Sequence, residues 1–157
     1  MPSPHYSSRE GHPIKLIIIH GDAGKSDAGT VSWLTSPKSK VAYHWLVGRD
    51  GTVYQFVDEK EKAWHAGVSS WPDCTVNKSV NAHSVGVSFA NDGKESYKPV
   101  QYTAGARLVA EIMARYGIPE KMVLGHADVS PSRKTDPWAH FDWGYFRALI
   151  AESLAGT

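Results

Sequence analysis

The sequence predicts an α/β fold, a single domain with a central mixed β-sheet flanked by helices. Short β-branched runs alternate along the chain with longer segments whose apolar residues recur at helical spacing, and this alternation is typical of α/β domains. A length of 157 residues suits one domain with its own hydrophobic core. Because no repeat and no Ser/Gly-rich linker divides the chain, we expect residues 1–157 to form one domain, with residues 1–13 as an irregular lead-in.

Four short apolar segments are predicted to form strands. The run IKLIIIH ends at His20, and a hairpin is expected where Asp50-Gly51 joins two aromatic-rich runs, since Asp-Gly supplies the positive φ of a tight turn. The four segments are 14–20, the hairpin within 42–57, 84–90 and 121–126.

Helices are predicted after and between these strands. Apolar residues from Val100 to Tyr116 fall at helical spacing, and Gly117 follows as a helix terminator. One helical turn is expected at 31–34 and a closing helix at 143–155. Residues 63–83 read as a long loop, and loops of about 20 residues in a compact domain are usually functional.

Composition and charge exclude several classes of protein. The 17 Lys and Arg residues nearly balance 16 acidic residues, for a net charge of +1, which argues against nucleic acid as a partner. No apolar run approaches the ~20 residues of a membrane span, and no signal-peptide pattern opens the chain. We therefore expect a protein made in the cytoplasm without membrane insertion. Cys74 is the single cysteine, so an intramolecular disulfide is excluded.

Two histidines stand where predicted strands end. His20 follows LIII, His126 follows MVLG, and Asp136 lies on the Pro-containing loop that comes after His126. Two imidazoles and one carboxylate are a common catalytic zinc set that leaves the fourth position for water. A histidine at a strand end is more often a hydrogen-bonded structural residue than a metal ligand, so this spacing alone leaves both interpretations open.

Five motifs then occur in a fixed order: IIIHGDAG, AYHWLVGRDGTVYQFVD, AWHAGVSSW, NAHSVGVSFAN and LGHADVSPSRKTDPW. In this order they resemble the zinc-dependent N-acetylmuramoyl-L-alanine amidases, a family that includes phage endolysins, cytosolic recycling amidases and peptidoglycan recognition proteins. The resemblance extends from about Ser3 to Phe146, nearly the whole chain.

The resemblance implies a role for nine residues. They are the Zn²⁺ ligands His20, His126 and Asp136, the catalytic residues Tyr43 and Lys134, and the substrate contacts Trp64, His65, Asn81 and Trp138.

The chemistry of amide hydrolysis suits the two catalytic positions. An ammonium at Lys134 would stabilise a developing oxyanion, and a phenol at Tyr43 would hydrogen-bond the reacting groups. The alternatives are a solvated loop lysine and a half-buried sheet aromatic. If Tyr43 faces the site, strand alternation turns His44, which we expect to be structural, to the other face. Trp138 could equally line the substrate groove or cover the core.

One position departs from the family pattern. Many members carry a glutamate, taken as a general base, where this chain has Ser88 in SVGVSFA. A serine hydroxyl does not accept a proton usefully near neutral pH. Either Tyr43 and Lys134 suffice, or the activity is weak or lost.

The resemblance implies an amidase that cuts the bond between N-acetylmuramic acid and L-alanine in peptidoglycan, in a lytic, endolysin-type role. The alternatives are a peptidoglycan-binding module with little or no activity, or a deacylase or peptidase with another substrate. We expect a monomer whose partner is peptidoglycan or a muropeptide, acting on the cell wall after release or on cytosolic muropeptides.

Overall fold

A five-stranded mixed sheet forms the centre of the molecule in the computed structural model, which describes residues 1–72, 74 and 79–156. The strands are β1 (Tyr6–Ser8), β2 (Leu16–Gly21), β3 (Trp45–Val47), β4 (Val53–Gln55), β5 (Glu61–Ala63), β6 (Ser84–Phe89) and β7 (Val123–Gly125). The helices are α1 (Asp27–Thr35), α2 (Pro99–Tyr116), α3 (His126–Val129) and α4 (Trp143–Ala155), with single 3₁₀ turns at Asn81–His83 and Glu120–Met122.

The order of strands in the central sheet is β4-β3-β6-β2-β7. The β3–β4 hairpin is antiparallel, whereas β3, β6, β2 and β7 run parallel to one another. Strands β2 and β6 pair over their full lengths, so that His20 lies directly beside Ser88. Parallel strands bring their carboxyl ends to one edge of a sheet, and functional side chains collect at that edge.

Alternation along β6 separates a core face from a site face. Val85, Val87 and Phe89 pack with α2 and α4 in the main hydrophobic core. The intervening residues are small, Ser84 and Ser88 on either side of Gly86. Because successive side chains of a strand point to opposite faces, this small-residue row lies on the other side of the sheet, where larger side chains can approach the backbone.

The predicted α/β architecture with a central mixed sheet is confirmed. The strand predicted at 14–20 is observed at Leu16–Gly21, and the predicted helical turn at 31–34 is the last part of α1. The hairpin turns at Gly51, whose φ is +86°.

The lead-in of residues 1–13 is less irregular than expected. Residues Tyr6–Ser8 form β1, which pairs with β5 in a separate two-stranded sheet. Three residues carry too little periodicity to predict a strand, and the partner that stabilises this one lies more than fifty residues away. None of the helices in the described part of the chain is long and apolar enough to cross a bilayer.

Candidate active site

Two imidazoles and a carboxylate meet at the carboxyl-terminal edge of the parallel strands. His20 Nδ1 lies 3.1 Å from His126 Nδ1. Asp136 Oδ2 lies 3.3 Å from His126 Nδ1 and 3.4 Å from His20 Nδ1. All three side chains are buried. The structure therefore brings together the three residues that the sequence predicts as metal ligands.

The local chain path explains how residues distant in sequence converge. His20 lies near the end of β2, and His126 directly follows the neighbouring strand β7. The loop after α3 folds back, and the backbone N–H of Ala127 donates to the carbonyl of Asp136 at 3.0 Å. The backbone N–H of Gly21 also donates to Asp136 Oδ2 at 3.2 Å. These bonds fix the carboxylate beside both imidazoles.

The donor atoms fit a zinc ion. In a tetrahedral site with bonds of about 2.0–2.1 Å to nitrogen and oxygen, the ligand atoms lie about 3.3–3.4 Å apart. The three observed separations are within a few tenths of an ångström of that edge length. Buried donors all lying within 4.8 Å of one another could hold a metal ion, and three protein ligands leave one position for water or substrate.

Hydrogen bonding on the outer side of His126 supports this interpretation. Its Nε2 lies 2.9 Å from the carbonyl oxygen of Ala66, which is only an acceptor, so Nε2 carries the ring proton. In the neutral ring Nδ1 is then a lone pair directed at Asp136 and at His20. Acceptors facing one another in a buried site repel unless a proton or a cation lies between them.

Burial and pairing shift the pKa values of these groups in a consistent direction. Burial lowers the pKa of His20 to about 4; the hydrogen bond with Asp136 opposes this shift, and the proximity of His126 and Lys134 adds to it. For Asp136, burial acts to raise the pKa, but the interactions with His126 and His20 outweigh it and hold the pKa well below the usual range. A neutral imidazole beside an ionised carboxylate is the form that ligates zinc.

A cleft of about 490 Å³ opens onto His126 and Asp136. Lys134 and Tyr43, predicted as catalytic, both line it. The Tyr43 ring centroid lies 4.9 Å from that of His20. Burial, with the negative charges of Asp136 and Asp22, raises the pKa of Tyr43, so the phenol stays protonated across the physiological range.

His44 turns away from this cleft, as the alternation predicts. Its Nδ1 accepts a hydrogen bond from the backbone N–H of Gly86 at 3.0 Å, and its Nε2 donates to the carbonyl of Glu61 at 2.8 Å. Burial lowers the pKa of His44 to about 4. The neutral ring therefore links the segment before β3 to β6 and β5.

The substrate contacts predicted in the 63–83 loop have mixed positions. Trp64 lines the cleft half-buried, and its Nε1 donates to Ser7 Oγ at 3.1 Å. Asn81 also borders the cleft, but its side-chain oxygen accepts from the backbone N–H groups of His65 and Ala66 at 3.3 and 2.8 Å. The remaining part of that loop at residues 73 and 75–78 lies outside the described residues.

His65 borders the cleft beside the predicted metal ligands, with its ring packed against His20. Only 4% of the residue is exposed. Its Nδ1 lies 2.8 Å from His20 Nε2, and its Nε2 lies 2.9 Å from Ser84 Oγ. Burial, together with the proximity of the His20 and His44 imidazoles, lowers the pKa of His65 well below the usual value. Contact between His65 and substrate stays a prediction. The contacts observed are with His20 and with Ser84 of β6.

Trp138 lies half-buried in the cleft wall with a left-handed backbone, φ +70°. Its indole covers Gly21, where an added Cβ would come within 2.1 Å of the ring. It also stacks on His140 with ring centroids 5.9 Å apart. The ring thus lines the cleft and packs over the end of β2, and its contact with substrate stays a prediction.

Sequence reasoning missed Arg133. Its Nη2 donates to the carbonyl of Ala66 at 2.9 Å, and the guanidinium also reaches the carbonyl of Val68 at 3.3 Å. The hydroxyl of Ser130 donates to the same Val68 carbonyl at 2.7 Å. The loop that carries Asp136 is thus bonded to the segment after Trp64. The only available signal was the position of Arg133 three residues before Asp136.

Comparisons with known proteins identify relatives over most of the chain. Residues 10–139 match the family model described as N-acetylmuramoyl-L-alanine amidase. The 1,6-anhydro-N-acetylmuramyl-L-alanine amidase AmpD of Citrobacter freundii is 33% identical over 171 aligned residues, covering 98% of this chain and 90% of that protein. A crystal structure of a Se-Met AmpD derivative gives a TM-score of 0.80 at 30% identity, covering 96% of this chain and 92% of the other. The E. coli amidase AmiD, in complex with its substrate anhydro-N-acetylmuramic acid-L-Ala-D-gamma-Glu-L-Lys, gives a TM-score of 0.76 at 28% identity, with coverages of 92% and 65%.

Proposed function

This chain belongs to the N-acetylmuramoyl-L-alanine amidase family, and from this premise we propose that it hydrolyses the amide bond between N-acetylmuramic acid and L-alanine. A zinc ion held by His20, His126 and Asp136 would serve the reaction. The observation that carries the proposal is the convergence of three buried donor atoms at tetrahedral spacing, with two of the three residues, His126 and Asp136, lining an open cleft. When bound, zinc polarises a carbonyl and lowers the pKa of a water to roughly 7.

Lys134 supplies a positive charge to this reaction. It lines the cleft together with Asp136, two residues away, and its charge contributes to the lowered pKa of His20. An ammonium in this cleft would stabilise the oxygen of a scissile carbonyl as negative charge develops on it. Because an amide carbonyl carries less charge before the reaction than during it, this stabilisation favours the transition state.

Tyr43 supplies a hydrogen-bond donor on the other side of His20. Its raised pKa keeps the phenol neutral, so it donates to an anionic oxygen and takes no part as a base. The position occupied by glutamate in many relatives is here Ser88, buried beside His20 in the sheet. Since a serine hydroxyl is not a useful base near neutral pH, turnover in this chain depends on the metal site, Lys134 and Tyr43. Ser88→Ala is accordingly expected to change turnover by less than about threefold.

One observation bears on the substrate. The match to a 1,6-anhydro-N-acetylmuramyl-L-alanine amidase covers nearly the full length of both proteins, which favours a soluble anhydro-muropeptide. The lytic role expected from the sequence would require activity on intact wall and stays a prediction. The two substrates are therefore compared directly in the test.

The test incubates zinc-loaded protein with purified peptidoglycan and, separately, with an anhydro-muramoyl peptide. We expect release of stem peptides with a free L-alanine amino group, lost with a chelator and restored by added zinc. His126→Ala should lose both bound zinc and turnover. Release that is insensitive to the chelator would refute the zinc-dependent reaction. Saturable binding to sacculi without any product would instead support the binding-module alternative.

A further inference from the structure

We propose that His65 is a positioning residue for the metal centre. His65 accepts a hydrogen bond from Nε2–H of His20, and Ser84 in turn holds the His65 ring in place. This inference rests on the metal site proposed above. It replaces the expected role of His65 as a substrate contact with a role in fixing one ligand.

Both ring nitrogens of His65 already have partners inside the protein. Nδ1 lies 2.8 Å from His20 Nε2, with the two rings nearly perpendicular at 85°. Nε2 lies 2.9 Å from Ser84 Oγ. A side chain that uses both nitrogens, and is almost completely buried, has no hydrogen-bonding group left to offer a substrate.

Metal binding would determine which ring nitrogens of His20 and His65 carry a proton. When Nδ1 of His20 ligates a metal, the remaining ring proton is on Nε2, which faces His65. His65 Nδ1 must then be the acceptor, and the single proton of its neutral ring lies on Nε2, directed at Ser84 Oγ. Partners of this kind set the orientation and tautomer of metal-binding histidines.

The sheet is shaped to admit the His65 ring. At Gly86, between Ser84 and Ser88 on the site face of β6, an added Cβ would come within 2.5 Å of His65 Cγ. A larger residue here would displace the ring. The backbone of His65 is held as well, because its N–H donates to Asn81 Oδ1. Position and orientation of the imidazole are thus fixed from two sides.

The next residue supports the second imidazole ligand. The carbonyl of Ala66 accepts from His126 Nε2 at 2.9 Å and from Arg133 Nη2 at 2.9 Å. Residues 65 and 66 therefore contact the outer nitrogens of both histidine ligands. This makes the AWHAG segment a support for the metal centre rather than only a wall of the cleft.

The experiment compares His65→Phe with His65→Asn. Phenylalanine fills the ring space but cannot accept a hydrogen bond, whereas the asparagine oxygen can occupy the position of Nδ1. Affinity for zinc and for cobalt is measured by competition with a chromogenic chelator. We expect His65→Phe to bind metal about 10–100-fold more weakly, and His65→Asn to retain most of the affinity. At saturating zinc, His65→Phe should regain turnover with an unchanged KM.

His83→Phe is the matched control. His83 is also a buried imidazole, but its contacts are the carbonyl of Pro13 and the ring of His12, neither of which lines the cleft. Its replacement should leave metal affinity unchanged. If His65→Phe fails to fold, Ser84→Ala provides the second variant, and a smaller but measurable loss of metal affinity is expected.

Three outcomes would overturn the proposal. One is wild-type metal affinity in His65→Phe combined with a raised KM, which would make His65 a substrate contact. Another is a loss of metal affinity in His65→Asn equal to that in His65→Phe, which would mean that the hydrogen-bond acceptor at this position does not determine metal affinity. The third is unchanged metal affinity in Ser84→Ala. Failure of the wild-type protein to bind zinc would instead overturn the proposed function.

Discussion

Gly86 offers a steric test of how the sheet and the metal centre are coupled. Its backbone is not in the left-handed region, and an added Cβ would lie 2.5 Å from His65 Cγ and 2.7 Å from Nδ1. In Gly86→Ala the ring must therefore withdraw by about 1 Å to reach an ordinary contact of roughly 3.5 Å. Its 2.8 Å separation from His20 Nε2 would then exceed hydrogen-bond range.

The expected cost follows from these two changes. Overpacking a well-filled site costs about 1–3 kcal/mol, and losing one buried hydrogen bond costs about 1 kcal/mol more. The metal-free Gly86→Ala protein should therefore be less stable by about 2–4 kcal/mol, which for a domain of this size lowers Tm by roughly 5–15 °C. Metal affinity should fall with it, because His20 loses its outer acceptor.

The assay is thermal and urea unfolding of single and double variants. In a His65→Ala background the added methyl meets no ring, so Gly86→Ala should cost less than about 1 kcal/mol. Gly144→Ala is the control, since a Cβ there meets nothing closer than 3.6 Å and alanine stabilises a helix by up to about 1 kcal/mol. A Gly86→Ala protein with wild-type Tm and metal affinity, or the same penalty in both backgrounds, would refute the reasoning.

Three further predictions concern the cleft and its surroundings. Lys134→Ala should keep its zinc and lose about 10²–10³-fold in turnover; normal cleavage would show that Lys134 does not stabilise the oxyanion. Because the pKa of Tyr43 is raised, Tyr43→Phe should lower turnover by the same factor, about tenfold or more, from pH 6 to pH 10, and a ratio that varies with pH would contradict a neutral phenol. The pKa of His44 is lowered from 6.5 to about 4, so the unfolded chain takes up a proton in that window that the folded chain does not. Stability should therefore fall by about 3 kcal/mol between pH 6.5 and 4; urea titrations of His44→Asn should show a shallower decline, and an identical decline would rule out His44 as its source.

The strongly patterned elements were predictable because their signals are local. The β-branched run before His20 and the helical apolar spacing of 100–116 indicate β2 and α2 within a few residues of their observed bounds. The short strand β1 was not predictable, because its stability comes from pairing with β5. Pairing between distant segments leaves almost no trace in three residues of sequence.

The candidate site likewise contains residues that the sequence identifies and contacts that it does not. His20, His126 and Asp136 were identifiable because strand-end placement and motif order point to the same three residues, and the structure brings them together. The observed contacts of His65 could not be predicted, since its partners lie 45 and 19 residues away. Arg133 was missed for a similar reason, because its acceptors are backbone carbonyls that no residue identity reveals.

What the sequence by itself determined is the α/β class, the three side chains that could hold a metal ion and the family, since these depend on local periodicity and on residue types in order. Only the tertiary structure decided which side chains hold the candidate metal ligands in place, such as His65 beside His20. The parallel register of β2 against β6 sets His20 beside the small-residue row of Ser84, Gly86 and Ser88, and that row admits the His65 ring. The physical reason is that register and ring packing arise from contacts between segments far apart in the chain, which no local pattern specifies.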